Sequence, residues 1–188
     1  MGPKHLNDSA STYEKRVMER AKHDPKAFAP LYETYFPRVY AYCLRRLANR
    51  PLAEDLTSSI FTQALSHLDS YRGGNVGAWL FRIAHNELAN HWRGQREQIS
   101  LEAYETDLMA EELLPVEQVL AQENVRILTR IVATLPADQQ ELLALKLAGH
   151  LSSEQIGAVV GKSGIAVRVE LHRIMKRLRL LFEQEVEA

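Results

Sequence analysis

Apolar and basic side chains share one face of a helix that is predicted from about Gly164 to Phe182. At about 100° per residue, its core face covers about 60° of arc and consists of Val167, Leu171, Ile174 and Leu178. The opposite face carries Ile165, Val169, His172, Arg173 and Lys176, and Arg168 lies on one flank. An apolar residue near the start of such a helix can contact a thymine methyl group, and basic residues further along can bind phosphates. An ordinary amphipathic helix with a solvated basic face has the same pattern.

The residues before this helix favour the DNA-binding interpretation. Ser152-Ser153-Glu154-Gln155 predicts a capping box, with Ser152 as the N-cap and Gln155 three residues later. A short apolar helix follows, and the turn after it contains Gly161 and ends at Ser163, which can cap the basic helix. Gly149 fits just past the end of an earlier leucine-rich helix. A short helix, a tight turn and a longer basic helix form a helix-turn-helix pattern.

A separate helical bundle is predicted within residues 1–96. Its helices span about 24–48, 52–71 and 78–93, and each has an apolar stripe. Pro37 is expected to bend or interrupt the first of these helices, because proline removes a backbone donor and crowds the preceding turn. Arg72-Gly73-Gly74-Asn75 predicts the break between the last two helices. Residues 1–16 are interpreted as a polar N-terminal lead-in.

Charge divides the chain into three blocks. Residues 1–96 carry 14 basic and 9 acidic residues, residues 97–125 carry 8 acidic and no basic residues, and residues 126–188 carry 9 basic and 7 acidic residues. The net charges of the blocks are therefore +5, −8 and +2. The two basic blocks can each meet nucleic acid, whereas the acidic block cannot touch DNA favourably. Residues 97–117 are thus interpreted as an acidic linker.

Composition excludes several classes of protein. Cys43 is the only cysteine, so an intramolecular disulfide and a cysteine-based metal site are both impossible, and we expect a buried core thiol. No stretch of about 18 apolar residues occurs, and the N-terminal segment lacks the apolar region of a signal peptide. We therefore expect a cytoplasmic, all-α protein with no membrane insertion and no cofactor. Two helical domains, at 17–96 and 118–188, flank the linker.

Four segments of the chain, at 28–47, 53–61, 79–86 and 135–179, together resemble regions two and four of the extracytoplasmic-function (ECF) sigma factors of bacterial RNA polymerase. The segment from Phe28 to Leu47 resembles the opening helix of region two. Ala53-Glu54-Asp55-Leu56-Thr57, followed by Phe61, resembles the motif of the helix that docks on the polymerase clamp. Trp79-Leu80-Phe81-Arg82-Ile83-Ala84-His85-Asn86 resembles the promoter-melting motif, and the segment from Leu135 to Arg179 resembles region four. The motifs occur in the order and spacing of that family.

The resemblance implies an alternative sigma factor with no enzymatic site, whose partners are core RNA polymerase, promoter DNA and, as in many relatives, an anti-sigma factor. Core polymerase would be contacted by Glu54, Asp55, Ser58, Ser59 and Gln63. The melted minus-ten element would be bound by His85, Asn86, Asn90, His91 and Arg93, with further charge from Arg82. The minus-thirty-five element would be read by Ser163, Ile165, Arg168, Val169, His172, Arg173 and Lys176. The acidic linker would thread through the polymerase between the two domains.

Two positions depart from the family pattern. Ser58-Ser59 stands where Gln-Glu is usual, which removes a charge from the clamp motif. Glu170 stands where arginine is usual, and the helical wheel places it beside the core face. We therefore expect Glu170 to pair with a neighbouring basic residue rather than to touch DNA. Trp79 and Trp92, near the melting motif, are interpreted as core anchors in preference to stacking platforms for bases.

Other functions explain parts of the chain. A plain helix-turn-helix regulator explains residues 135–182 but not the motifs around Glu54 and Asn86. A metal-dependent enzyme would use His85, Glu87 and His91, but this spacing does not place both histidines on one helical face. A module that only sequesters a protein partner would not show salt-dependent binding to open-complex DNA.

The charge pattern also predicts an arrangement of the free chain. Two basic domains joined by an acidic linker can fold back on each other and hide their DNA faces.

Overall fold

The computed structural model describes residues 4–97 and 116–186, and within these ranges the chain forms eight α-helices and no strand. The helices are α1 (Lys4–Ala21), α2 (Ala29–Leu47), α3 (Arg50–Ser66), α4 (Val76–Glu97), α5 (Val116–Ala133), α6 (Ala137–Leu147), α7 (Ser153–Val160) and α8 (Gly164–Val186). Short 3₁₀ turns at Pro25–Phe28 and Leu68–Ser70 precede α2 and follow α3. The predicted all-α architecture with two helical units is confirmed. None of the described helices is long and apolar enough to cross a membrane.

The first unit, α1 to α4, is a bundle built on large buried side chains, which include Met18, Phe28, Tyr42, Ile60, Leu80 and Leu88. Side-chain caps fix where two of its helices begin. Asn49 accepts from the N–H of Leu52 at 3.0 Å and caps α3, and Asn75 accepts from the N–H of Ala78 at 2.8 Å at the start of α4. These caps fix where α3 and α4 begin, and these two helices carry both predicted motifs.

The N-terminal segment differs from the prediction. Helix α1 begins at Lys4, within the residues interpreted as a polar lead-in. Its C-terminal turns bury Val17, Met18 and Ala21, and Tyr35 of α2 donates to Oε1 of Glu14 at 3.0 Å. Such a small buried face gives a weak periodic signal in the sequence, and packing on the bundle stabilises the helix.

Helix α2 continues through Pro37, so the interruption predicted there does not occur. A proline leaves the carbonyl group four residues earlier without its helical donor, and that carbonyl belongs to Glu33. Both residues are exposed. Water can therefore hydrogen-bond to the carbonyl group of Glu33, and the helix tolerates Pro37.

The second unit, α5 to α8, contains the predicted helix-turn-helix. Ser152 accepts from the N–H of Gln155 at 3.2 Å, and the N–H of Ser152 donates to Oε1 of Gln155 at 2.7 Å, which completes the capping box. Gly161 ends α7 with a φ of +72°, in the left-handed region. A Cβ atom on Gly157 would lie 2.4 Å from the carbonyl oxygen of Lys162. Glycine at these two positions therefore lets α7 turn closely into α8.

Gly149 lies just past the end of α6, as predicted. The residue with a left-handed φ is His150, at +48°, not Gly149. A Cβ atom on Gly149 would lie 2.5 Å from the carbonyl oxygen of Leu145, so glycine is needed there for a close approach. Leu147, in the predicted leucine-rich helix, is 54% exposed and lies outside the core.

The two units pack against each other, and their buried residues form one cluster. Helix α2 contacts α6, and α4 contacts α7. Helix α8 packs on α5, α6 and α7 of its own unit. The predicted acidic linker lies mostly at residues 98–115, outside the described residues, and α5 begins near its predicted end.

Candidate nucleic-acid interface

The outward face of α8 is open to solvent. All of the residues predicted to read duplex DNA are exposed. Ile165 and Val169 are 73% and 45% exposed, and the side chain of Arg173 is 73% exposed. Ser163 caps the helix, because its Oγ accepts from the N–H of Ala166 at 3.1 Å. The predicted core face of α8 is buried: Val167, Leu171, Ile174 and Leu178. The face is thus apolar at its N-terminal end and basic further along, as predicted.

Carboxylates neighbour two basic residues of this face. Nη2 of Arg168 lies 2.5 Å from Oε1 of Glu154, at the start of α7. Glu170 accepts from Nε2 of Gln139 in α6 at 2.7 Å, and its other oxygen lies 3.9 Å from Nη1 of Arg173. Glu170 therefore points towards α6 and also pairs with a basic neighbour, as expected from its position on the helical wheel.

The predicted minus-ten residues divide into two groups along α4. Asn86, Asn90 and Arg93 are exposed, and the guanidinium group of Arg93 donates to the side-chain oxygen of Asn90. His85 and His91 are half-buried. One group therefore offers amide and guanidinium groups to solvent, and the other is partly covered by protein.

His85 contacts a carboxylate of the second unit. Its Nδ1 lies 2.8 Å from Oε1 of Glu141 in α6, and the hydroxyl group of Tyr42 donates to the same oxygen at 2.5 Å. Nε of Arg46 lies 2.9 Å from Oε2 of Glu141, but its N–H does not point at that oxygen, so this contact is an ion pair and not a hydrogen bond. Glu141 is 6% exposed, and the side chain of its ion-pair partner Arg46 is also buried, at 6% exposed.

These contacts determine the protonation of the cluster. Burial disfavours the charged form of Glu141, but hydrogen bonds from His85 and Tyr42 and the charge of Arg46 outweigh burial and lower the pKa of Glu141. Burial, together with the charge of Glu141, raises the pKa of Tyr42 well above its usual value. Tyr42 therefore remains a donor and Glu141 an acceptor near neutral pH. Since an ionised carboxylate only accepts, Nδ1 of His85 carries a proton.

Two further arginines connect the units. Arg38 of α2 donates to the carbonyl oxygen of Gly149, and Arg82 of α4 donates to that of Ala158 in α7. The residues in these two pairs lie 111 and 76 positions apart in sequence. No local pattern predicts contacts over such separations. For this reason the sequence did not indicate a role in the interface for four residues: Arg38, Tyr42, Arg46 and Glu141.

Comparisons with known proteins agree with both halves of this arrangement. Residues 31–98 match the Sigma-70 region 2 family, and residues 126–178 match the Sigma-70 region 4 family. The ECF RNA polymerase sigma factor BldN of Streptomyces coelicolor is 32% identical over 182 residues, which cover 95% of this chain and 69% of BldN. The ECF RNA polymerase sigma factor ShbA of Streptomyces griseus is 31% identical over 95% of this chain and 100% of its own length.

The chain belongs to the ECF family of RNA polymerase sigma factors. The fold of this sigma factor also resembles a solved structure, that of the sigma factor RpoE in complex with the anti-sigma factor NepR from Bartonella quintana. The TM-score is 0.65 at 24% identity, and the match covers 84% of this chain and 98% of that chain. The predicted family and function are confirmed: the protein is an alternative sigma factor, a promoter-recognising initiation factor and not an enzyme.

The residues predicted to contact core polymerase lie on α3. Glu54, Asp55 and Ser58 are exposed, and Ser59 and Gln63 are half-buried. Nε of Arg50 lies 3.3 Å from Oε1 of Glu54, and the hydroxyl group of Ser58 donates to the carbonyl oxygen of Glu54 at 3.1 Å. Of the two serines that depart from the family pattern, Ser58 therefore bonds to its own helix, and Ser59 donates to Oε2 of Glu87 in α4 at 3.4 Å. Glu54 and Asp55 keep negative charge at the surface.

The two tryptophans of the sigma factor are partly buried and pack against the core, as interpreted from the sequence. Nε1 of Trp79 donates to Oγ of Ser70 at 3.2 Å, and the guanidinium carbon of Arg46 lies 4.7 Å from the centre of the Trp92 ring. In the described parts of the chain, no group of three or more His, Cys, Asp or Glu residues is placed to hold a metal ion.

Proposed function

We propose that this sigma factor reads the minus-thirty-five element as duplex DNA with α8 and binds the melted minus-ten strand with α4. The outward face of α8 carries this proposal. Exposed Ile165 and Val169 near its N-terminal end suit thymine methyl groups in the major groove, and burying them gains about 25 cal/mol per Å² of apolar surface. Arg173 and Lys176 are two and three turns further along, where a docked helix meets the phosphates.

Ser163 at the N-cap, and Arg168 and His172 further along, supply hydrogen-bonding groups for base edges or nearby phosphates. Arg168 is the candidate for direct base recognition, because a guanidinium group can donate two parallel hydrogen bonds to guanine. The carboxylate of Glu154, 2.5 Å away, supports this role by limiting the orientations of the guanidinium group.

On α4, we assign strand binding to His85, Asn86, Asn90, His91 and Arg93. Bases in a melted strand expose their Watson–Crick edges, and an amide side chain can both donate to and accept from such an edge. The exposure of Asn86 and Asn90 supports this assignment. Arg93 lies beside Asn90 and can contact a phosphate of the same strand.

We assign core-polymerase binding to the α3 surface formed by Glu54, Asp55, Ser58, Ser59 and Gln63. The exposed carboxylates of Glu54 and Asp55 suit a basic partner surface. The acidic linker would pass through the polymerase between the two DNA-binding units, where its charge keeps it off the DNA. The sigma factor would act in the cytoplasm, and an anti-sigma factor would be its regulatory partner.

Transcription with purified core polymerase tests this function. Fragmented host DNA would be transcribed with and without the chain, and the new transcript starts would be sequenced. Starts that require the chain and share two motifs at fixed upstream positions are expected. An absence of new starts, alongside intact duplex binding, would instead favour a plain DNA-binding regulator.

The α8 assignment is tested separately by duplex binding with the promoter so identified. Ile165→Asp should remove most of the binding, because a carboxylate would face the DNA. Leu147→Asp is the matched control, since Leu147 is also an exposed apolar residue but lies on α6. Equal losses in the two variants would contradict the assignment of α8.

A further inference from the structure

A row of donors on the first unit is occupied by acceptors of the second unit. We call Arg38, Arg46, Arg82 and His85 the donor strip. Arg38 donates to the carbonyl oxygen of Gly149, and Arg82 donates to that of Ala158. Arg46 and His85 both contact Glu141, and Arg46 also donates to Oε1 of Gln140 at 3.2 Å. All four members of the strip therefore bind oxygen atoms.

Among these acceptors, Glu141 is a buried carboxylate, and it depends on partners from the first unit to remain buried. It lies in α6 among the buried residues Leu142, Leu143, Ala144 and Leu145. A buried carboxylate is strongly unfavourable unless charged and hydrogen-bonded partners compensate it. Its partners Tyr42, Arg46 and His85 all belong to the first unit. Glu141 is thus compatible with a buried position only while the two units are in contact.

The chemistry of the strip is that of a phosphate site. A phosphodiester is a monoanion with acceptor oxygens, as is a carboxylate, and arginine binds both groups in the same manner. Arg82 and His85 also precede Asn86 and Asn90 on α4, the helix to which strand binding is assigned. The strip therefore extends this surface onto α2, through Arg38 and Arg46.

We propose that the donor strip binds the phosphate backbone of promoter DNA, and that Glu141 occupies it in the free chain as an internal mimic of a phosphate. This proposal rests on the assignment of strand binding to α4. It adds Arg38 and Arg46 to the DNA-binding surface and makes separation of the two units a condition for using it.

The spacing of the promoter elements requires this separation. Elements centred near positions −10 and −35 lie roughly 80 Å apart along the duplex, at about 3.4 Å per base pair. In the free chain, α4 directly contacts α7, which immediately precedes the recognition helix. The two helices cannot occupy both elements in this arrangement. When the units separate, the strip loses its protein acceptors and becomes available to phosphates.

The test is binding of the full-length chain to a fluorescein-labelled single-stranded oligonucleotide, measured by anisotropy over a range of salt concentrations. Glu141→Ala should raise the affinity about fivefold or more, a typical coupling between two states. Glu33→Ala is the matched control, because it removes a carboxylate from an exposed position of α2 and should leave the affinity within twofold of the wild type.

A second substitution identifies the strip as the site. Adding Arg82→Ala to Glu141→Ala should reduce the slope of log affinity against log salt concentration by about 0.7, the value for one phosphate contact on a single strand. Arg82 is exposed and holds only a carbonyl oxygen of the other unit, so the fold should survive its loss. Circular dichroism melting curves check this for each variant.

Three results would overturn the proposal: an unchanged affinity in Glu141→Ala, an unchanged salt slope after Arg82→Ala, or tighter binding of core polymerase without tighter binding of the oligonucleotide. The last result would identify the strip as a protein-binding surface. The transcription experiment separates this proposal from the proposed function, because new starts with the wild-type chain would uphold that function even if the strip binds no DNA.

Discussion

The two helices that we propose contact DNA, α4 and α8, differ in which parts of the protein hold them in place. The reading face of α8 is exposed, and the helix is positioned by its own unit through the Ser163 cap, the turn at Gly161 and its buried side. Helix α4 is positioned by both units, and two of its polar residues, Arg82 and His85, bind acceptors of the second unit. Duplex binding by α8 should therefore depend on the second unit alone, whereas strand binding by α4 should depend on how the two units are arranged.

The largest expected effect comes from the core side of α8. Ile174 is almost completely buried, and Ile174→Ala should lower the free energy of unfolding by about 2–5 kcal/mol. Denaturant unfolding checks this, with Met175→Ala as the control, since Met175 is an exposed neighbour whose loss should cost less than about 0.5 kcal/mol. Similar values for the two variants would contradict the assigned orientation of α8.

Asn86→Ala tests the α4 face by itself. It should slow promoter opening by about fivefold to 150-fold, through the loss of about 1–3 kcal/mol of contacts to a base. Binding to core polymerase should be unchanged, because Asn86 is exposed and lies outside the α3 surface. Permanganate reactivity of melted thymines measures opening, and co-migration with core polymerase measures binding. A parallel loss of polymerase binding would show that Asn86 is structural.

Arg173→Ala should have a smaller and more uniform effect. If Arg173 contacts a phosphate, its loss weakens duplex binding to all sequences alike and reduces the salt slope by about 0.9. Binding to a set of duplexes that differ at single positions, at several salt concentrations, measures both quantities. A loss confined to one base position would assign Arg173 to base recognition instead.

The smallest expected effect is that of pH on the contact between the two units, which should not change near neutral pH. The closed arrangement lowers the pKa of Glu141, so ionised Glu141 favours closure at every pH above its usual value of 4.5. As the pH falls below 4.5 and through the lowered pKa, this contribution is lost. The radius of gyration from X-ray scattering should therefore stay constant from pH 8 to about pH 5 and rise below that range. Glu141→Ala should be expanded throughout, and a wild-type-like profile in that variant would exclude Glu141 as the cause.

The sequence predicted the second unit well because its signals are local. The capping box joins residues three apart, the buried face of α8 repeats every three to four residues, and a wheel separates Val167 from Arg173 without tertiary information. The reading face of α8 could therefore be predicted residue by residue. The role assigned to each residue in DNA binding stays a prediction.

The contact between the units could not be predicted in this way. Tyr42 and Glu141 are 99 positions apart, so no local pattern in the sequence pairs them. The expectation that the chain folds back and hides both DNA faces holds for part of α4 but not for α8, whose reading face stays exposed. The start of α1 was not predicted for a similar reason, because the few apolar residues of α1 are buried only when the helix packs on the assembled bundle.

Cys43 gives the molecule a practical property. Burial raises the pKa of its thiol to about 11, so the reactive thiolate is scarce near neutral pH. Since the sequence contains no other cysteine, maleimide dyes should leave the native chain almost unlabelled. Cysteines introduced at one exposed position of each unit would then be the only sites of attachment, and energy transfer between the dyes would follow opening in single molecules without any change to the native core.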